Sequence, residues 1–423
     1  MSAHPPRRAA LAFIFVTVLL DVLALGLIVP ILPNLLVDFV GGNEAKGARL
    51  NGLFGTVWAA MQLLCSPLFG SLSDRFGRRP VILVSNFGLA FDYVVMALAP
   101  TWHWLLIGRV ISGITASSIP TAFAYIADVT PPEKRTASFG LVGAAFGLGF
   151  TIGPLLGGVL GMTNPRLPFW IAAALSAANG LYGLFVLPES LSRDKRNPFS
   201  WARANPVGSL VLLWRHAGLF SLAMVNFLGY VAHVVLPSTF VLYAGYRYGW
   251  NIRTVGVALF IVGVGSMVVQ GGLIRPALQR FGERRTLLIG LVFGVIGFAM
   301  MGLAPTSPLF WPSLLFSSLW GLSGPAAMGL IAARVGPSEQ GQLQGANNSL
   351  RAISELVGPS MFTLVFAYFI STGKAFGMPG APFVLAALFL AASLALAVKV
   401  AVPAAQKPLE PVDVAPAEQA PAA

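Results

Sequence analysis

Charge is what this chain has least of. Its 27 Lys and Arg and 15 Asp and Glu make up 10% of 423 residues, where a soluble protein carries about 25%. That is too little polar surface for the two or three water-soluble domains such a length would otherwise suggest. Cysteine is nearly absent: Cys65 stands alone in an apolar run, which excludes an internal disulfide framework and any zinc site built on cysteines. The four histidines, His4, His103, His216 and His233, are scattered without metal-ligand spacing. No nucleophile-base pair, phosphate loop or dinucleotide fingerprint is present, and the glycine-rich stretches lie inside apolar runs. Enzyme chemistry and ATP-driven transport by this chain alone are therefore not expected, and no cofactor or metal is implied.

What is abundant is apolar. Hydrophobic residues make up 56% of the chain, with 46 Gly and 31 Pro, two residues common in membrane helices that pack closely and kink. A membrane helix needs about 20 mainly apolar residues. Such runs occur at 9–37, 50–71, 80–99, 103–127, 136–161 and 168–187, and again at 217–243, 253–275, 285–304, 308–333, 344–370 and 378–401. The expected fold is an all-α polytopic membrane protein of twelve spans. It divides into two six-helix bundles, 1–188 and 216–402, joined by a charged linker, 189–215, with a disordered Pro/Ala-rich tail over 403–423. Arg7 and Arg8 before an apolar stretch resemble a signal peptide, but Asp21 interrupts the run and no small-residue cleavage site follows. The segment reads as a retained first span.

The net charge of +12 belongs to topology. With both termini on one side, 19 basic residues fall in the loops of that side, 6 in the loops opposite, and Arg109 and Arg351 inside spans, which accounts for all 27. Positive loops stay cytoplasmic, so both termini are expected inside, in a bacterial inner membrane, and nucleic acid is not a partner.

The chain also repeats itself. Met96-Ala-Leu-Ala-Pro-Thr101 returns as Met301-Gly-Leu-Ala-Pro-Thr306, Arg75-Phe-Gly77 as Arg280-Phe-Gly282, and Gly153-Pro154 as Gly358-Pro359, each 205 residues on. One shared offset means two homologous halves. Two parallel halves with a binding site between them form a rocking transporter.

Three acids and two arginines lie within spans, where a charge is by default functional or paired: Asp21, Asp92, Arg109, and Arg351 with Glu355. Acids in such places serve as proton carriers, and Arg109 can stabilise a nearby carboxylate. Arg351 and Glu355 are one helical turn apart and can neutralise each other as a secondary coupling pair. At the repeat offset Asp21 meets Asn226, Asp92 meets Gly297 and Arg109 meets Leu314, and Glu355 is the one acid expected to be buried in the second half. Proton handling is thus expected in the first half, with Asn226, Tyr230, His233, Gln270, Asn347 and Asn348 as candidates for a more neutral substrate surface.

Between spans two and three runs Gly70-Ser-Leu-Ser-Asp74-Arg75-Phe-Gly77-Arg78-Arg79. Gly77 suits a sharp turn, Asp74 can meet a positive helix N-terminus or an arginine, and the arginines can pair with helix C-termini. This loop resembles the signature of the major facilitator superfamily. The second half repeats it as Leu278 to Arg285, with Gln279 in place of the acid. Span five carries Gly149-Phe-Thr-Ile-Gly153-Pro154-Leu-Leu-Gly157-Gly158, a smooth face for close helix approach with a proline that removes one backbone hydrogen bond. Within the superfamily it resembles the antiporter motif of drug/proton exporters.

Further strings resemble the tetracycline/proton antiporters: Asp21 with Gly26, Pro30 and Pro33; Gln62 to Leu83; Phe91-Asp-Tyr93 running to Pro100; Gly108-Arg109 with Gly113 and Thr115; Ala124 to Asp128; and Gly341 to Gly345. The resemblance spans roughly residues 10 to 400. It implies coupling roles for Asp21, Asp92 and Arg109 and a gating role for Asp74 and Arg75. The chain departs from those pumps in two places. Span nine has no acid, Gly294 standing where the family has one, and Ser266 stands near a family histidine.

The leading expectation is a proton-coupled antiporter that exports a small amphipathic drug, tetracycline among the candidates, with protons, the small molecule and the bilayer as its partners and no obligate protein partner. The alternative is a proton-coupled exporter or symporter of an endogenous metabolite or sugar. Against import stands the glycine-proline pattern of span five. A non-transporting receptor lacks a sensor domain, and a membrane-embedded hydrolase lacks a nucleophile.

Overall fold

The computed structural model describes residues 7–196, 208–215, 218–336 and 339–399. The tail 403–423, linker residues 197–207, and His4 and His216 lie outside the described residues. Seventeen α-helices order the rest: α1 (Arg7–Ile28), α2 (Leu32–Phe39), α3 (Glu44–Phe76), α4 (Arg78–Leu98), α5 (Trp102–Thr115), α6 (Ser118–Val129), α7 (Pro132–Thr163), α8 (Leu167–Val186), α9 (Leu212–Arg215), α10 (Leu219–His233), α11 (Val235–Tyr248), α12 (Ile252–Val268), α13 (Ile274–Leu303), α14 (Ser307–Leu319), α15 (Ser323–Ala332), α16 (Gln340–Ile370) and α17 (Ala381–Lys399).

Among the described residues, eleven helical stretches are long and apolar enough to cross a membrane, where the hydropathy predicts twelve spans. The difference lies in Ile252–Leu303, a single stretch of 52 residues. At 1.5 Å per residue it is about 78 Å long, more than twice a bilayer core of about 30 Å. A π turn at Val269–Leu273 and a non-helical Gly282 (φ 72°, ψ 169°) interrupt it beside Arg280, Glu283, Arg284 and Arg285. The stretch thus holds two spans, and the count returns to twelve.

Four spans are broken, at a period of three. Span one breaks at residues 29–31 between α1 and α2, span four at Ala116–Ser117 between α5 and α6, span seven at Val234 between α10 and α11, and span ten at the 3-10 turn Trp320–Leu322 between α14 and α15. The recurrence fits three-helix repeats nested in each half, and discontinuous helices are where transporters of this architecture place their binding sites.

Each half has its own apolar core. In the first, α1 packs on α7 and α8, and α4 on α8 and α5; in the second, α13 packs on α17 and α14, and α10 on α17 and α16. Two long helix pairs join the halves, α3 with α16 and α7 with α12, and α11 adds contacts to α2 and α3. We call the end bearing Gly77 and Gly282 the latch end, and the other, bearing Gly41 and Gly249, the far end.

Among the described residues, contacts between the halves lie at the far end and in the middle. Asn51 donates to the Ser238 carbonyl at 2.7 Å, Thr56 donates to the Leu356 carbonyl at 3.0 Å, and the Thr56 and Ser360 hydroxyls are 2.8 Å apart. A Cβ on Gly158 would lie 3.2 Å from Gly256 Cα. Toward the latch end, a Cβ on Gly70, Gly140, Gly143, Gly271, Gly272 or Gly341 would meet nothing within 4 Å. The halves meet at the far end and stand apart at the latch end.

Candidate functional site

Asp21, Asp92 and Arg109 come from three different helices, α1, α4 and α5, and all three are buried, 6%, 0% and 8% exposed. Asn179 of α8 donates to Asp21 Oδ1 at 2.9 Å and to the Thr17 carbonyl at 3.1 Å. The other Asp21 oxygen has no hydrogen-bond partner, although Ser118 is close. Asp92 has no hydrogen bond on either oxygen, with Ser112 close by and Arg109 acting on it through its charge, without an ion pair at contact distance. A Cβ on Gly108 would lie only 2.5 Å from Asp92 Oδ1, so the glycine before Arg109 is what lets the carboxyl lie against α5. Tyr93, buried in the same core, is within electrostatic reach of all three. An unpaired buried carboxylate costs several kcal/mol, so this cluster is a place for groups that exchange a proton or a partner.

Asn179, Tyr93 and Ser112 are absent from the sequence-based candidates. Asn179 and Ser112 each sit in an apolar run where a single polar residue has no distinguishing pattern, and Tyr93 is noted only as part of the string around Asp92.

In the second half, Tyr230 donates to Asn347 Oδ1 at 3.0 Å, Asn347 Nδ2 stands 2.8 Å from the Tyr230 hydroxyl, and Asn226 donates to Asn347 Oδ1 at 3.4 Å. His233 is exposed at the break of span seven, its ring 5.9 Å from that of Trp320, and feels the charge of Arg351. Asn348 and Gln270 are also exposed, and neither joins this hydrogen-bonded set; Gln270 lies in the π turn nearer the latch end. Arg351 and Glu355 pair at 2.9 Å as expected, but the expectation that Glu355 is buried is corrected. The two side chains are 60% and 32% exposed, because this stretch of α16 borders the space left where the halves part.

Gly294 explains the missing acid of span nine. A Cβ there would lie 2.7 Å from Trp320 Cδ1 and 2.8 Å from Leu390 Cδ1. The indole occupies the volume a side chain would need.

The latch closes on itself within the first half. Gly77, with φ 108°, ends α3 and opens α4. Arg78 reaches Asp74 at 2.6 Å, Asp128 at 3.0 Å and Ser73 at 2.9 Å. Glu189, just past α8, accepts the backbone N–H of Arg78 at 2.8 Å and of Arg79 at 3.3 Å, an anion on a positive helix start. Arg79 donates to the Leu184 carbonyl at 2.5 Å. Arg75 instead is exposed over the Phe76 ring, and Gly70 is exposed with open space beside it. The residues of this loop split accordingly: Asp74, Gly77, Arg78 and Arg79 are joined, Gly70 and Arg75 are not.

The glycines of α7 serve two neighbours. Gly149 and Gly153 lie against the α1 backbone, a Cβ on Gly153 falling 2.7 Å from Gly26 Cα, and Gly157 touches the Leu27 backbone. Gly158 and Pro154 face α12, where a Cβ on Gly256 would lie 2.6 Å from the Pro154 carbonyl. The motif sits where one helix of the first half crosses another and also meets the second half. A surface notch of about 340 Å³ lined by Lys46, Arg49 and Trp102 lies at the far end, away from all these groups.

Two bundles joined chiefly by two antiparallel helix pairs, with buried charge in one and a polar aromatic wall in the other, define a membrane transporter. Residues 14–359 match the family model described as Major Facilitator Superfamily, and the chain belongs to that family. It is 35% identical over 363 residues to "Tetracycline resistance protein, class C" of Escherichia coli, covering 86% of this chain and 91% of that protein. It is 36% identical to the class G protein of Vibrio anguillarum, covering 82% and 88%. Among solved structures, the human organic anion transporter MFSD10 superposes with a TM-score of 0.69 at 26% identity, covering 93% of this chain and all of that one.

Proposed function

We propose that this transporter exports a small amphipathic drug, tetracycline being the first to test, in exchange for protons across a bacterial inner membrane. The observation that carries the reading is the first-half cluster: two buried acids without full hydrogen bonding, one buried arginine, and no matching acid in the second half. Protonation of Asp21 and Asp92 is one half of the exchange, and Arg109 takes over as partner of the ionised form. The proton gradient drives the cycle, with no bound cofactor. The Tyr230–Asn347–His233 wall takes the neutral part of the substrate, and the Arg351–Glu355 pair is a secondary coupling element.

The 19-to-6 distribution of basic residues assigns the latch end and both termini to the cytoplasm. The conformation described above is then open to the cytoplasm, ready to load a drug. Bundles 1–188 and 216–402 rock about their far-end contacts, with 189–215 as the tether. Asp74 lies on the side of α3 that follows Gly52 and Gly55, the residues that meet Thr363 and Pro359 of α16. Continuing that antiparallel pairing brings Asp74 to Gln340 and Gly341, the positive first turn of α16, when the latch end shuts.

The identity to proteins named for tetracycline resistance supports the drug reading. The decisive assay is drug accumulation in an efflux-deficient bacterial host. Expression should lower tetracycline accumulation several-fold, and a protonophore should abolish the difference. Unchanged accumulation of tetracycline and of a panel of other amphipathic drugs would discard the reading. The covered Gly294 is the observation behind a second reading, export of an endogenous metabolite, which that negative panel would bring forward.

A further inference from the structure

The unsatisfied polar atoms of the first half gather at one depth. A Cβ on Gly183 of α8 would lie 3.0 Å from Leu83 Cδ2 of α4 and 3.5 Å from Phe13 Cζ of α1, so these three residues mark a level where the three helices meet. One helical turn toward the far end, the same faces carry Thr17, Asn86 and Asn179. The next turn brings Asp21 on α1 and Ser176 on α8. Ser85 precedes Asn86, on the face of α4 that Gly88 and Asp92 share, and Gly88 lies against Thr115, just before the break of span four at Ser117. Thr17, Ser85, Asn86, Ser117, Ser176 and Asn179 are all at most 2% exposed. With the free oxygen of Asp21, eight polar atoms of this layer have no hydrogen-bond partner: one on each of Thr17, Asp21, Ser85, Ser117, Ser176 and Asn179, and two on Asn86.

The second half has no such layer. At the repeat offset of 205, Thr17 and Asn86 become Leu222 and Leu291. Leu167-Pro168-Phe169, which opens α8, returns as Ala381-Pro382-Phe383 at the start of α17, 214 residues on, so Ser176 becomes Leu390. Leu222, Leu291 and Leu390 all belong to one continuous apolar core. The core of the first half is in two pieces, with Phe13, Ile82 and Leu187 nearer the latch end and Leu27, Leu89 and Met96 nearer the far end. The polar layer lies between them. Gly290 and Ser323, the counterparts of Ser85 and Ser118, are neighbours, a Cβ on Gly290 falling 3.0 Å from Ser323 Cβ. By the same symmetry Ser85 faces the start of α6.

Buried polar groups without protein partners are served by water or an ion. Asn86 decides between them, because both its amide NH₂ and its carbonyl oxygen are free. A cation could serve the oxygen but not the NH₂, whereas water both donates and accepts. At about three hydrogen bonds per buried water, about three waters would satisfy the layer.

We propose that this layer binds a small cluster of water, sealed inside the first bundle, that carries protons between Asp92 and Asp21 apart from the space between the halves. The inference rests on the proton-exchange reading of these two acids but not on the identity of the drug. Asp92 has Ser112 close by, and Thr115, Ser85 and Asn86 lead from there to the free oxygen of Asp21. One proton leaves the Asp92 carboxyl, each water or hydroxyl on the way accepts one and passes one on, and one proton arrives on the Asp21 carboxylate. Nothing else is consumed. The level of Phe13, Leu83 and Gly183 closes the layer toward the latch end, so proton and drug take different paths.

The test has two arms, both on the full-length chain in lipid nanodiscs. A density map fine enough to show other buried waters should show peaks within about 3.2 Å of the Asn86 amide and of Asp21 Oδ2; a dry layer in such a map would overturn the proposal. The second arm follows hydrogen–deuterium exchange of the infrared carboxyl bands that Asp21→Asn and Asp92→Asn each remove. Asn86→Leu, which copies the second half, should slow exchange of the Asp21 band at least tenfold, and Asn86→Ser, which leaves room for water, should restore most of that loss. Exchange at the parent rate in Asn86→Leu would also overturn the proposal. A wet layer with Asn86-dependent exchange, in a chain that moves no tested drug, would retain the water site and discard the drug reading alone.

Discussion

Asn179 of α8 lies 2.9 Å from Asp21 of α1 and also donates to the backbone of Thr17, so one amide both fixes the helix pair and holds the acid in place. The acid's other oxygen has no hydrogen-bond partner. The first half therefore presents a carboxyl group half-satisfied by a neutral donor, while Asp92 on α4 is satisfied by none.

Replacing that amide by an isosteric apolar group tests its role. Asn179→Leu removes a hydrogen bond to a carboxylate, worth about 1.5–3 kcal/mol. Drug efflux should fall roughly tenfold or more, by the factor of 10 that goes with about 1.4 kcal/mol, with the protein still present in the membrane. Efflux in everted vesicles, normalised to protein by immunoblot, is the measurement; wild-type efflux would show that Asn179 is only packing.

Restoring an acid to span nine should fail alone and improve when the indole is removed. Gly294→Asp pushes a side chain into Trp320 at 2.7 Å and into Leu390, an overpacking cost of about 1–3 kcal/mol before the charge is counted. Trp320→Ala opens that volume. Thermal unfolding of the two single variants and the double in detergent should show non-additivity, the double being more stable than the sum of the single effects. Simple additivity would mean that the two positions do not compete for space.

Arg166 caps a neighbouring helix at the far end. Its guanidinium donates to the carbonyls of Ala97 at 2.8 Å and Ala99 at 2.6 Å, and more weakly to Met96, and lies over the Phe39 ring. Arg166→Ala leaves several carbonyls at the C-terminus of α4 without partners, and should lower stability by about 1–3 kcal/mol. Arg166→Lys should recover only part, since an ammonium lacks the fork that spans two carbonyls. Melting of the purified chain distinguishes the series.

Gly153 and Gly324 provide a matched pair. A Cβ at Gly153 would lie 2.7 Å from Gly26 Cα, backbone against backbone, and one at Gly324 meets nothing within 4 Å. Gly153→Ala should destabilise by about 1–3 kcal/mol, whereas Gly324→Ala, at an exposed position of α15, should be neutral or gain up to about 1 kcal/mol. The same thermal assay reads both.

Much of this was legible in the sequence, because hydropathy and repeats depend on composition along the chain. The twelve spans, the glycine-proline face of α7 and the ion pair of Arg351 and Glu355 follow from one-dimensional patterns. Contacts across the chain do not. Nothing in the sequence said that Gly26 and Gly256 would answer Gly153 and Gly158, because a lone glycine in an apolar run has many uses. Asn179 looked like one polar residue among many. The breaks in spans one, four, seven and ten lie beside Pro30, Pro120, Pro237 and Pro325, but Pro67, Pro154 and Pro359 sit inside continuous helices, so a proline alone was only a partial signal. Glu355 was misjudged because exposure depends on where the halves part, which no local pattern encodes.

Asp92 offers the most direct test. In everted vesicles energised so that the lumen is acidic, adding tetracycline to wild-type protein should raise the lumenal pH, as protons leave in exchange for drug. Asp92→Asn, which keeps the size of the side chain and removes its proton site, should give no such pH change and at least a hundredfold slower drug movement, while the protein remains folded by melting. Drug-dependent proton release by Asp92→Asn at the wild-type rate would contradict the account.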